Sequence, residues 1–319
     1  MEPAEKVYVL HENQEWFPPF ARAFEDEGIP YEEWLLDGGV LDLDHAPPAG
    51  IFWSRMSASS HTRGHVRAKD HARAVLSWLE AQGRRVVNGR RVLELEMSKV
   101  DQLATLRAAG FDVPRTIAVS GDVHLAEAAR WLPAPFVVKP NQGGKGLGVR
   151  RFDTVEAFDA YVDSADYEPP IDGIALLQEY LEPAEPLITR VELVGGEFLY
   201  ALTADTARGG FQLCPADACA VDPVTLGSAD GSSQEPGLFT LRKDFDVPIV
   251  GRYLDFARRH GIEVAGFELI ETADGRQVTY DVNTNTNYNP HVDAAAERSG
   301  PREVARFLGG LLDREGRPQ

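Results

Sequence analysis

The sequence predicts a mixed α/β protein in which a small N-terminal α/β domain precedes a larger α+β region. As far as residue 96, strand-like apolar runs alternate with helical patterns, which is typical of an α/β domain. Beyond residue 96, strand-like runs come in pairs around glycine-rich turns, which indicates antiparallel hairpins. The chain has 319 residues, enough for two or three hydrophobic cores.

Composition and charge narrow the range of functions. The net charge of −18 and the pI near 4.9 argue against a nucleic-acid-binding surface or a polybasic membrane contact. No apolar run approaches the roughly 18 residues of a membrane span, and the N-terminus enters a strand without a signal-peptide pattern. Two cysteines, Cys214 and Cys219, are too few for a disulfide framework and predict free thiols in a reducing, cytoplasmic compartment.

The N-terminal region is expected to end its third strand in a ligand-binding segment. Strands are predicted at residues 7–10, 31–36 and 50–53, and helices at residues 18–28 and 71–81. The polar segment 54–65 follows the third strand directly, where open α/β sheets place their ligands. An arginine there can bind a carboxylate with two hydrogen bonds, and the alternative is a solvated loop. The candidate substrate contacts are Arg55, Ser57, His61 and Arg63.

A glycine-rich loop dominates the next region. Ser98 is expected to cap a helix over residues 99–109, and a strand at 136–139 then leads into the loop at 141–148. Because a returning strand follows at 149–152, the loop is neither a Walker A nor a Rossmann turn, which both precede a helix. Glycines at 143, 144, 146 and 148 allow the backbone to fold closely over phosphate groups. Lys139 and Lys145 are two of only six lysines in the chain, and their positions favour nucleotide binding.

The C-terminal half is expected to contain hairpins on both sides of a long irregular segment. A strand at 175–181 and a hairpin of 187–193 with 198–202 come first, and the hairpin carries Arg190 in its first strand. Residues 205–239 are rich in Gly, Ser, Asp, Ala and Pro, which predicts a functional lid or a disordered connection. Arg208 and the segment 214–219 either line an acceptor site there or belong to a surface excursion. Helices are predicted near residues 250–260 and 302–312.

The stretch 266–287 predicts a metal-binding hairpin. Asp274-Gly275 is the pair that a two-residue type I′ turn prefers, and such a turn places Glu268 directly opposite Asp281. Facing carboxylates destabilise a hairpin unless a cation lies between them, and two carboxylates with a carboxamide suit Mg²⁺ shared with phosphates. A solvated hairpin face is the alternative. Alternation predicts an apolar face of Phe267, Leu269, Val278, Tyr280 and Val282, and a polar face of Glu268, Ile270, Thr279, Asp281 and Asn283.

Taken together, these motifs resemble the ATP-grasp superfamily of carboxylate–amine ligases, and within it the RimK-like glutamate ligases. The resemblance covers roughly residues 51–290. The chain departs from the family at Glu268, where RimK-like members often have Asp, and in the NTNTNY run at 283–288. The matching motifs, in order, are Ser98-Lys99 with the run GFDVPRT at 110–116, Lys139, the run QEYL at 178–181, Arg190 before a glycine hairpin, and Glu268, Asp281 and Asn283.

The resemblance implies a fold, a reaction and a set of site residues. The fold is a small N-terminal domain (1–96) followed by a two-lobed ATP-grasp region, with lobes at 97–182 and 183–319. The reaction is ATP-dependent amide formation through an acyl phosphate on an amino acid or a short peptide, with two Mg²⁺ ions that Mn²⁺ can replace. The implied catalytic residues are Arg190 and Lys139, and the implied metal ligands are Glu268, Asp281 and Asn283. The implied nucleotide contacts are Lys99, Lys139, Gly143, Gly144, Lys145, Gly146, Gly148, Gln178, Glu179, Tyr180, Leu181 and, for the ribose, Glu182 or Glu185.

Several alternatives stay open from the sequence alone. They are a phosphotransferase acting on a group other than a carboxylate, a non-catalytic ATP sensor, and a structural or interaction protein. Amine-dependent ADP release marks a ligase, amine-independent phosphorylation marks a kinase, and binding without turnover marks a sensor. Whether the chain forms a homodimer is also left open.

Overall fold

The computed structural model describes residues 5–209, 237–243, 245 and 247–315. The strands are β1 (Lys6–His11), β2 (Tyr31–Leu35), β3 (Gly50–Ser54), β4 (Arg85–Val87), β5 (Thr116–Ser120), β6 (Phe136–Pro140), β7 (Arg150–Phe152), β8 (Ile174–Glu179), β9 (Leu187–Val194), β10 (Glu197–Asp205), β11 (Phe239–Arg242), β12 (Val264–Glu271) and β13 (Gln277–Asn283). The α-helices are α1 (Pro18–Asp26), α2 (Ala68–Ala81), α3 (Arg90–Met97), α4 (Lys99–Ala108), α5 (Leu125–Ala129), α6 (Val155–Val162), α7 (Thr206–Gly209), α8 (Pro248–His260), α9 (Pro290–Ala295) and α10 (Gly300–Glu315).

The predicted mixed α/β class is confirmed, and the predicted strands and helices occur in the expected order. Short elements such as β4, β5 and α5 fall outside the sequence predictions because a few residues carry little periodic signal. Residues 210–236 of the predicted lid, with Cys214 and Cys219, lie outside the described residues. Within the described part, no helix has the length and apolar character that crossing a bilayer requires.

Strands β1 to β4 form a parallel sheet with the order β2-β1-β3-β4. Neighbours β1 and β3 pair from Lys6 opposite Gly50 to Leu10 opposite Ser54. Because the strands are parallel, their carboxyl ends meet at one edge of the sheet. The polar segment that begins at Arg55 therefore leaves β3 beside the residues that follow β1.

Strands β9 to β13 form the largest sheet, which is antiparallel and ordered β11-β10-β9-β12-β13. One face packs on α8, where Tyr253 stacks on Phe267 with ring centroids 4.5 Å apart. Alternation along β9 buries Val191 in this core and turns Arg190 to the opposite face of the sheet. The apolar packing thus fixes which face carries the polar side chains.

Strands β5 to β8 form a separate antiparallel sheet ordered β5-β8-β6-β7. Its core with α5 and α6 contains Phe136, Phe152 and Phe158, and Phe158 meets the other two rings edge-on at centroid distances of 5.5 and 5.1 Å. This core is distinct from the other hydrophobic clusters of the described chain. The sheet therefore carries the glycine loop between β6 and β7 as part of a separately packed lobe.

Helix α10 joins the N-terminal sheet to the large sheet. Val304 and Leu308 of α10 are fully buried in a cluster that also contains Val7 and Trp53 of the N-terminal sheet and Leu202 of β10. The C-terminal helix thus completes the core of the first domain. The domain boundaries at residues 96 and 182 stay predictions.

The β12–β13 hairpin corrects the predicted turn. Thr272 N donates to Arg276 O at 3.0 Å, so the loop has three residues (273–275) rather than two. Gly275 has a φ of 84°, the left-handed conformation that ends such a three-residue loop. A bulge in β13 beside Glu268 compensates for the extra loop residue, and Glu268 still pairs with Asp281 as predicted.

The same bulge corrects the predicted faces of β13. Thr279, expected on the polar face, is fully buried, and its hydroxyl lies 2.7 Å from that of Tyr253. Tyr280, expected on the apolar face, instead lies beside Asp281 on the face that lines a cavity. A bulge inserts one residue without a partner, so alternation fails at that point.

Candidate active site

A cavity of about 450 Å³ lies between the large sheet, the glycine-loop lobe and the N-terminal sheet. The large sheet contributes Arg190, Glu268 and Asp281 to its wall. The other two sheets contribute Lys139, with the glycine loop, and the polar segment at Ser57. The three regions that the sequence analysis singled out thus converge on one space.

Three oxygen-bearing side chains, Glu268, Asp281 and Asn283, meet in this cavity from paired strands. Asn283 Nδ2 donates to Glu268 Oε1 at 3.0 Å, and Tyr280 Oη donates to Glu268 Oε2 at 2.7 Å. Because Asn283 turns its NH₂ group toward Glu268, its amide oxygen is left to act as an acceptor. Two carboxylates and a carboxamide oxygen are hard donors of the kind that Mg²⁺ takes.

Two lysines lie beside these acids. Lys99 begins α4, whose first turn is capped by Ser98, and Lys99 Nζ lies 2.5 Å from Asp281 Oδ1. Lys139 ends the buried run of β6 and is only 6% exposed. In the described part of the chain, no carboxylate lies within ion-pair distance of the Lys139 ammonium. A buried cation without a paired acid favours an anionic ligand.

The pKa values reflect this crowding of charges. Burial, reinforced by nearby Lys99, lowers the pKa of Lys139 to about 8. Burial alone would raise the pKa of Asp281, but Lys99 and Lys139 hold it below its ordinary value. Burial raises the pKa of Glu268 against the attraction of Arg190. The cavity therefore pairs acids with cations, which complements a divalent cation bound to phosphates.

Arg190 is held rigidly on the large sheet. Its Nε donates to Glu192 Oε1 at 2.6 Å, and its terminal nitrogens donate to Glu268 Oε1 at 3.4 Å and to the Thr286 hydroxyl. The guanidinium crosses β12 at Gly266, where a Cβ atom would lie 2.5 Å from Arg190 Nε. Only glycine at position 266 leaves room for this arrangement.

The glycine loop covers the cavity with part of its length. Gly143, Gly144, Lys145 and Gly146 line the cavity, whereas Gly148 does not. Lys145 Nζ lies 4.8 Å from the ring centroid of Trp16, and the Arg63 guanidinium lies 4.7 Å from the same centroid. Cation–π contacts thus connect the loop to the N-terminal domain through one indole ring.

The residues predicted to contact the adenine line the cavity, whereas the acids predicted to contact the ribose do not. The four residues of the QEYL run, 178–181, line the cavity, as does Pro183. Neither Glu182 nor Glu185 lines it, and both are exposed. The structure therefore brings the hinge residues to the cavity but not the acids proposed for the ribose.

Among the predicted substrate contacts, only Ser57 lines the cavity. Arg63 pairs with the buried Glu12, at 2.6 Å between Arg63 Nη2 and Glu12 Oε1, and Arg208 lies exposed on α7. His61 is half-buried, and its Nδ1 has no hydrogen-bond partner in the described chain. Arg55 does not line the cavity; it is buried and hydrogen-bonds to Asn287, which does.

Several residues that line the cavity fall outside the sequence predictions, although the sequence pattern around some of them indicates their position. In the NTNTNY run, alternate residues share the face of Asn283, so the run itself could have indicated Asn285 and Asn287. Trp16 carries no local motif, and only the tertiary fold brings it near the loop. Glu96 lies three residues before Lys99 in the sequence but belongs to no motif of its own. The unpredicted lining residues are Trp16, Ala58, Ser59, Glu96, Gln102, Val137, Pro140, Leu147, Val149, Arg151, Pro183, Ile188, Thr206, Ile270, Tyr280, Val282, Asn285 and Asn287.

Comparison with solved structures places this fold. D-cycloserine synthetase DcsG superposes with a TM-score of 0.63 at 18% identity, covering 96% of this chain and 99% of that protein. The ATP-grasp ligase PsnB, in a complex with its minimal precursor, Mg and ADP, superposes with a TM-score of 0.63 at 15% identity, covering 98% of this chain and 99% of that protein. A RimK domain protein from Sphaerobacter thermophilus superposes with a TM-score of 0.60 at 18% identity, covering 96% of this chain and 99% of that protein. The chain has the ATP-grasp fold.

Sequence comparison points within that fold class to the RimK-like branch. A probable α-L-glutamate ligase from Enterobacter sp. is 30% identical over 140 residues, which is 44% of this chain and about half (46%) of that relative. A probable α-L-glutamate ligase 1 from Pseudoalteromonas atlantica is 29% identical over 236 residues, 74% of this chain and 70% of that relative. No family model matches the sequence. The predicted resemblance to RimK-like ATP-grasp ligases is confirmed by these relatives and by the shared fold.

Proposed function

We propose that this chain is an ATP-dependent carboxylate–amine ligase that forms an amide bond on an amino acid or a short peptide and releases ADP and phosphate. The observation that carries the proposal is the cavity in which Glu268, Asp281 and Asn283 face Lys99 and Lys139 beneath the glycine loop. A nucleoside triphosphate with its divalent cation complements both signs of charge in that space. Relatives named as glutamate ligases and a neighbour in complex with a precursor, Mg and ADP support the same class of reaction.

The first step transfers the γ-phosphoryl group to the substrate carboxylate. A carboxylate oxygen attacks the γ-phosphorus, the bond to the β,γ-bridging oxygen breaks, and ADP leaves with the electron pair. Such a transfer depends on charge neutralisation and in-line positioning rather than on a protein nucleophile. Lys99 and Lys139 would bind the α- and β-phosphates, with the backbone N–H groups of residues 143–148 over the remainder. Lys99 would then exchange its contact with Asp281 for a phosphate oxygen.

Glu268, Asp281 and Asn283 would hold the divalent cations, because their oxygens converge and Mg²⁺ prefers such donors. Bound Mg²⁺ would neutralise charge on the β- and γ-phosphates. We expect Glu268, Asp281 and Asn283 to hold two ions together with the phosphates, and we expect Mn²⁺ to substitute for Mg²⁺ because oxygen donors accept both metals. In the described part of the chain, no group of three His, Cys, Asp or Glu side chains is placed to hold a metal ion, and Asn283 would join the two carboxylates as the third protein ligand.

The second step forms the amide. The unprotonated amine nitrogen attacks the acyl carbon, and the bond from that carbon to the phosphate oxygen breaks. Phosphate leaves with the electron pair, and the proton lost by nitrogen passes to phosphate or water. Arg190 would stabilise the oxyanion of the tetrahedral intermediate, and Glu192 and Thr286 already hold its guanidinium in place.

The test is ADP release from Mg·ATP in the presence of pairs of common L-amino acids and short peptides, with mass spectrometry of the products. A ligase requires both a carboxylate and an amine and yields their amide. Phosphorylated product without an amine would make the protein a phosphotransferase, and nucleotide binding without turnover would make it a sensor. A homodimer, a cytoplasmic location and nucleotide contacts at Gly148 and Glu185 stay predictions.

A further inference from the structure

The bulge in β13 brings to the cavity a side chain that regular alternation would turn toward the core. Glu268 of β12 pairs with Asp281, and the next pair along the ladder is Leu269 with Thr279, so Tyr280 has no partner strand residue. Tyr280 and Asp281 are consecutive, yet both line the cavity. Bulges re-aim side chains in this way and are frequent beside active sites. The position of Tyr280 therefore calls for a functional reason.

The hydroxyl of Tyr280 binds one of the proposed metal ligands. Tyr280 Oη donates to Glu268 Oε2 at 2.7 Å, a length typical of a hydrogen bond from a hydroxyl to a carboxylate. The Lys139 ammonium lies 6.0 Å from the centroid of the same ring, at the outer limit of a cation–π contact. The hydroxyl thus serves the acid, while the ring serves the surroundings of the lysine.

The carboxylate of Glu268 is held at both of its oxygens. Oε1 accepts from Asn283 Nδ2 at 3.0 Å and from Arg190 Nη1 at 3.4 Å, and Oε2 accepts from Tyr280. Each carboxylate oxygen offers two lone pairs, so these contacts of the described residues use both lone pairs of Oε1 and one of Oε2. The side chain is 13% exposed and lines the cavity. The acceptor site that these contacts leave for a cation is therefore on the oxygen that Tyr280 holds.

We propose that Tyr280 is a positioning residue, which fixes the Glu268 carboxylate for binding a divalent cation through Oε2. Tyr280 acts only through Glu268 and contacts neither the cation nor the reacting atoms. Groups that orient a metal ligand commonly change metal affinity by about 10–100-fold when they are removed. The inference rests on the proposed function, which takes Glu268 as a ligand of Mg²⁺, and adds the residue that sets how tightly the cation is bound.

The test measures cation binding without turnover. The quantity is the Kd for ADP in EDTA divided by the Kd for ADP in excess Mg²⁺, which we call the magnesium ratio. Isothermal titration calorimetry gives both constants. A cation held jointly by protein and nucleotide raises this ratio above one. A change that affects only the nucleotide pocket alters both constants alike and leaves the ratio as it was.

Tyr280→Phe is the selective variant, because it keeps the ring and removes only the hydroxyl. We expect it to lower the magnesium ratio about tenfold, or to one where the wild-type ratio is smaller than that, and to leave the Kd for ADP in EDTA near the wild-type value. Tyr253→Phe is the matched control. It removes a hydroxyl that lies 2.7 Å from the Thr279 hydroxyl on the opposite face of the same hairpin, and it should leave the ratio unchanged.

Two further measurements separate positioning from a general structural role. Glu268→Gln should itself lower the magnesium ratio, and adding Tyr280→Phe to it should lower the ratio little further, because both changes act through one carboxylate. In the turnover assay, Tyr280→Phe should raise the Mg²⁺ concentration that gives half-maximal ADP release more than it lowers kcat at saturating Mg²⁺.

The outcomes distinguish this inference from the proposed function. A Tyr280→Phe protein with the wild-type magnesium ratio overturns the positioning role, and so does a loss of ADP affinity that is equal with and without Mg²⁺. Either result leaves the ligase standing if the wild-type protein forms an amide. A wild-type magnesium ratio of one overturns the metal site, and the positioning role with it.

Discussion

At the scale of single residues, the site is organised by charges that the fold has buried together. Lys99 and Asp281 form an ion pair, with both side chains mostly shielded from solvent. Burying such a pair is costly unless each partner has further contacts. Asp281 also lies in the field of Lys139 and Arg190, and Lys99 in the field of Glu96 and Glu268. Lys99 and Asp281 can therefore exchange each other for a phosphate and a cation when a metal–nucleotide complex binds.

The first prediction concerns Asp281. Asp281→Asn removes a carboxylate that would hold the cation and should lower ADP formation by about 10²–10³-fold or more, as losses of such electrostatic contacts do. The side chain keeps its shape, so we expect the far-ultraviolet circular dichroism to be unchanged. The measurement is coupled ADP release. Asp153→Asn, at an exposed position, is the control, and normal turnover in Asp281→Asn would remove the metal assignment.

The second prediction concerns the cost of keeping Lys139 buried. Because its pKa falls from 10.5 to about 8 on folding, the unfolded chain binds the proton more tightly, and the ammonium opposes folding below pH 8. Lys139→Met should therefore raise the free energy of unfolding of the nucleotide-free protein by roughly 1–3 kcal/mol at pH 7. The difference in unfolding free energy between Lys139→Met and the wild type should shrink as the pH rises from 8 to 10.5. Lys139 loses its proton near pH 8 in the folded protein and near pH 10.5 in the unfolded chain, so above 10.5 it is neutral in both states.

Urea unfolding of the wild type and Lys139→Met at several pH values measures this difference. Lys243→Met, at an exposed position, should change stability by less than about 0.5 kcal/mol. A Lys139→Met protein that is less stable than the wild type at pH 7 would contradict the assignment of Lys139 as a residue kept for its ligand.

At the scale of elements, the glycine loop is a flap that contacts the N-terminal domain at two places. Gln142 hydrogen-bonds to Lys69 and to the Ala58 backbone oxygen at its start, and the Trp16 ring contacts the loop further along. Lys145 adopts a φ of 61°, which a residue with a side chain seldom takes, and its ammonium lies over Trp16. Arg63 contacts the same ring, and Arg63 is in turn held by Glu12. The position of the flap over the cavity therefore depends on a residue far from it in sequence.

The third prediction follows from that contact. Trp16→Leu removes two cation–π contacts, each of about 0.5–1 kcal/mol, and should weaken Mg·ADP binding about two- to fivefold. Isothermal titration calorimetry measures the change. Trp131→Leu removes a more exposed tryptophan and should bind Mg·ADP as the wild type does. Equal affinities in the two variants would show that the flap closes without Trp16.

The fourth prediction concerns the packing of β9 against β12. Gly266→Ala would place a Cβ atom 2.5 Å from Arg190 Nε, so the guanidinium must move away from Glu192 and Thr286. We expect a loss of roughly 1–3 kcal/mol of stability, as overpacking causes, together with a large fall in turnover. Thermal unfolding and ADP release measure both effects. Gly251→Ala, in α8 with open space around it, is the matched control and should stabilise slightly.

At the scale of the whole molecule, an acidic protein encloses a cation-rich cavity. The chain carries 50 acidic and 32 basic residues, yet three of its six lysines, Lys99, Lys139 and Lys145, line one cavity with Arg190. The rest of the surface is therefore acidic and disfavours adventitious polyanions. These four cations concentrate positive charge at the place where two packed lobes and the N-terminal sheet meet.

The fifth prediction uses this convergence. Mg·ADP would contact all three regions and should raise the melting temperature, by the equivalent of about 2.7 kcal/mol at 100 times its Kd. ADP with EDTA should stabilise much less, because Glu268 and Asp281 then face phosphates without a cation. Differential scanning fluorimetry measures both. Equal shifts with and without Mg²⁺ would contradict the metal site.

Much of the site could be predicted because its motifs are local. Each of these motifs spans only a few residues, so the sequence shows its pattern directly. They are Ser98-Lys99, the strand that ends at Lys139, and the glycine loop. The opposition of Glu268 and Asp281 was predicted for a partly wrong reason. The turn is one residue longer than expected, and the bulge in β13, where Thr279 packs on Tyr253, restores the pairing. No turn rule contains that packing contact.

The sequence by itself determined the class of fold, the order of the elements and the chemical character of the site, because those depend on periodicity, turn residues and short motifs. Only the tertiary structure decided that Arg55 hydrogen-bonds to Asn287 instead of lining the cavity, and that Trp16 meets the glycine loop. The physical reason is separation along the chain: the partners of the Arg55–Asn287 hydrogen bond are 232 positions apart. Such a contact arises from the packing of α10 and the large sheet onto the N-terminal sheet, and no local pattern records it.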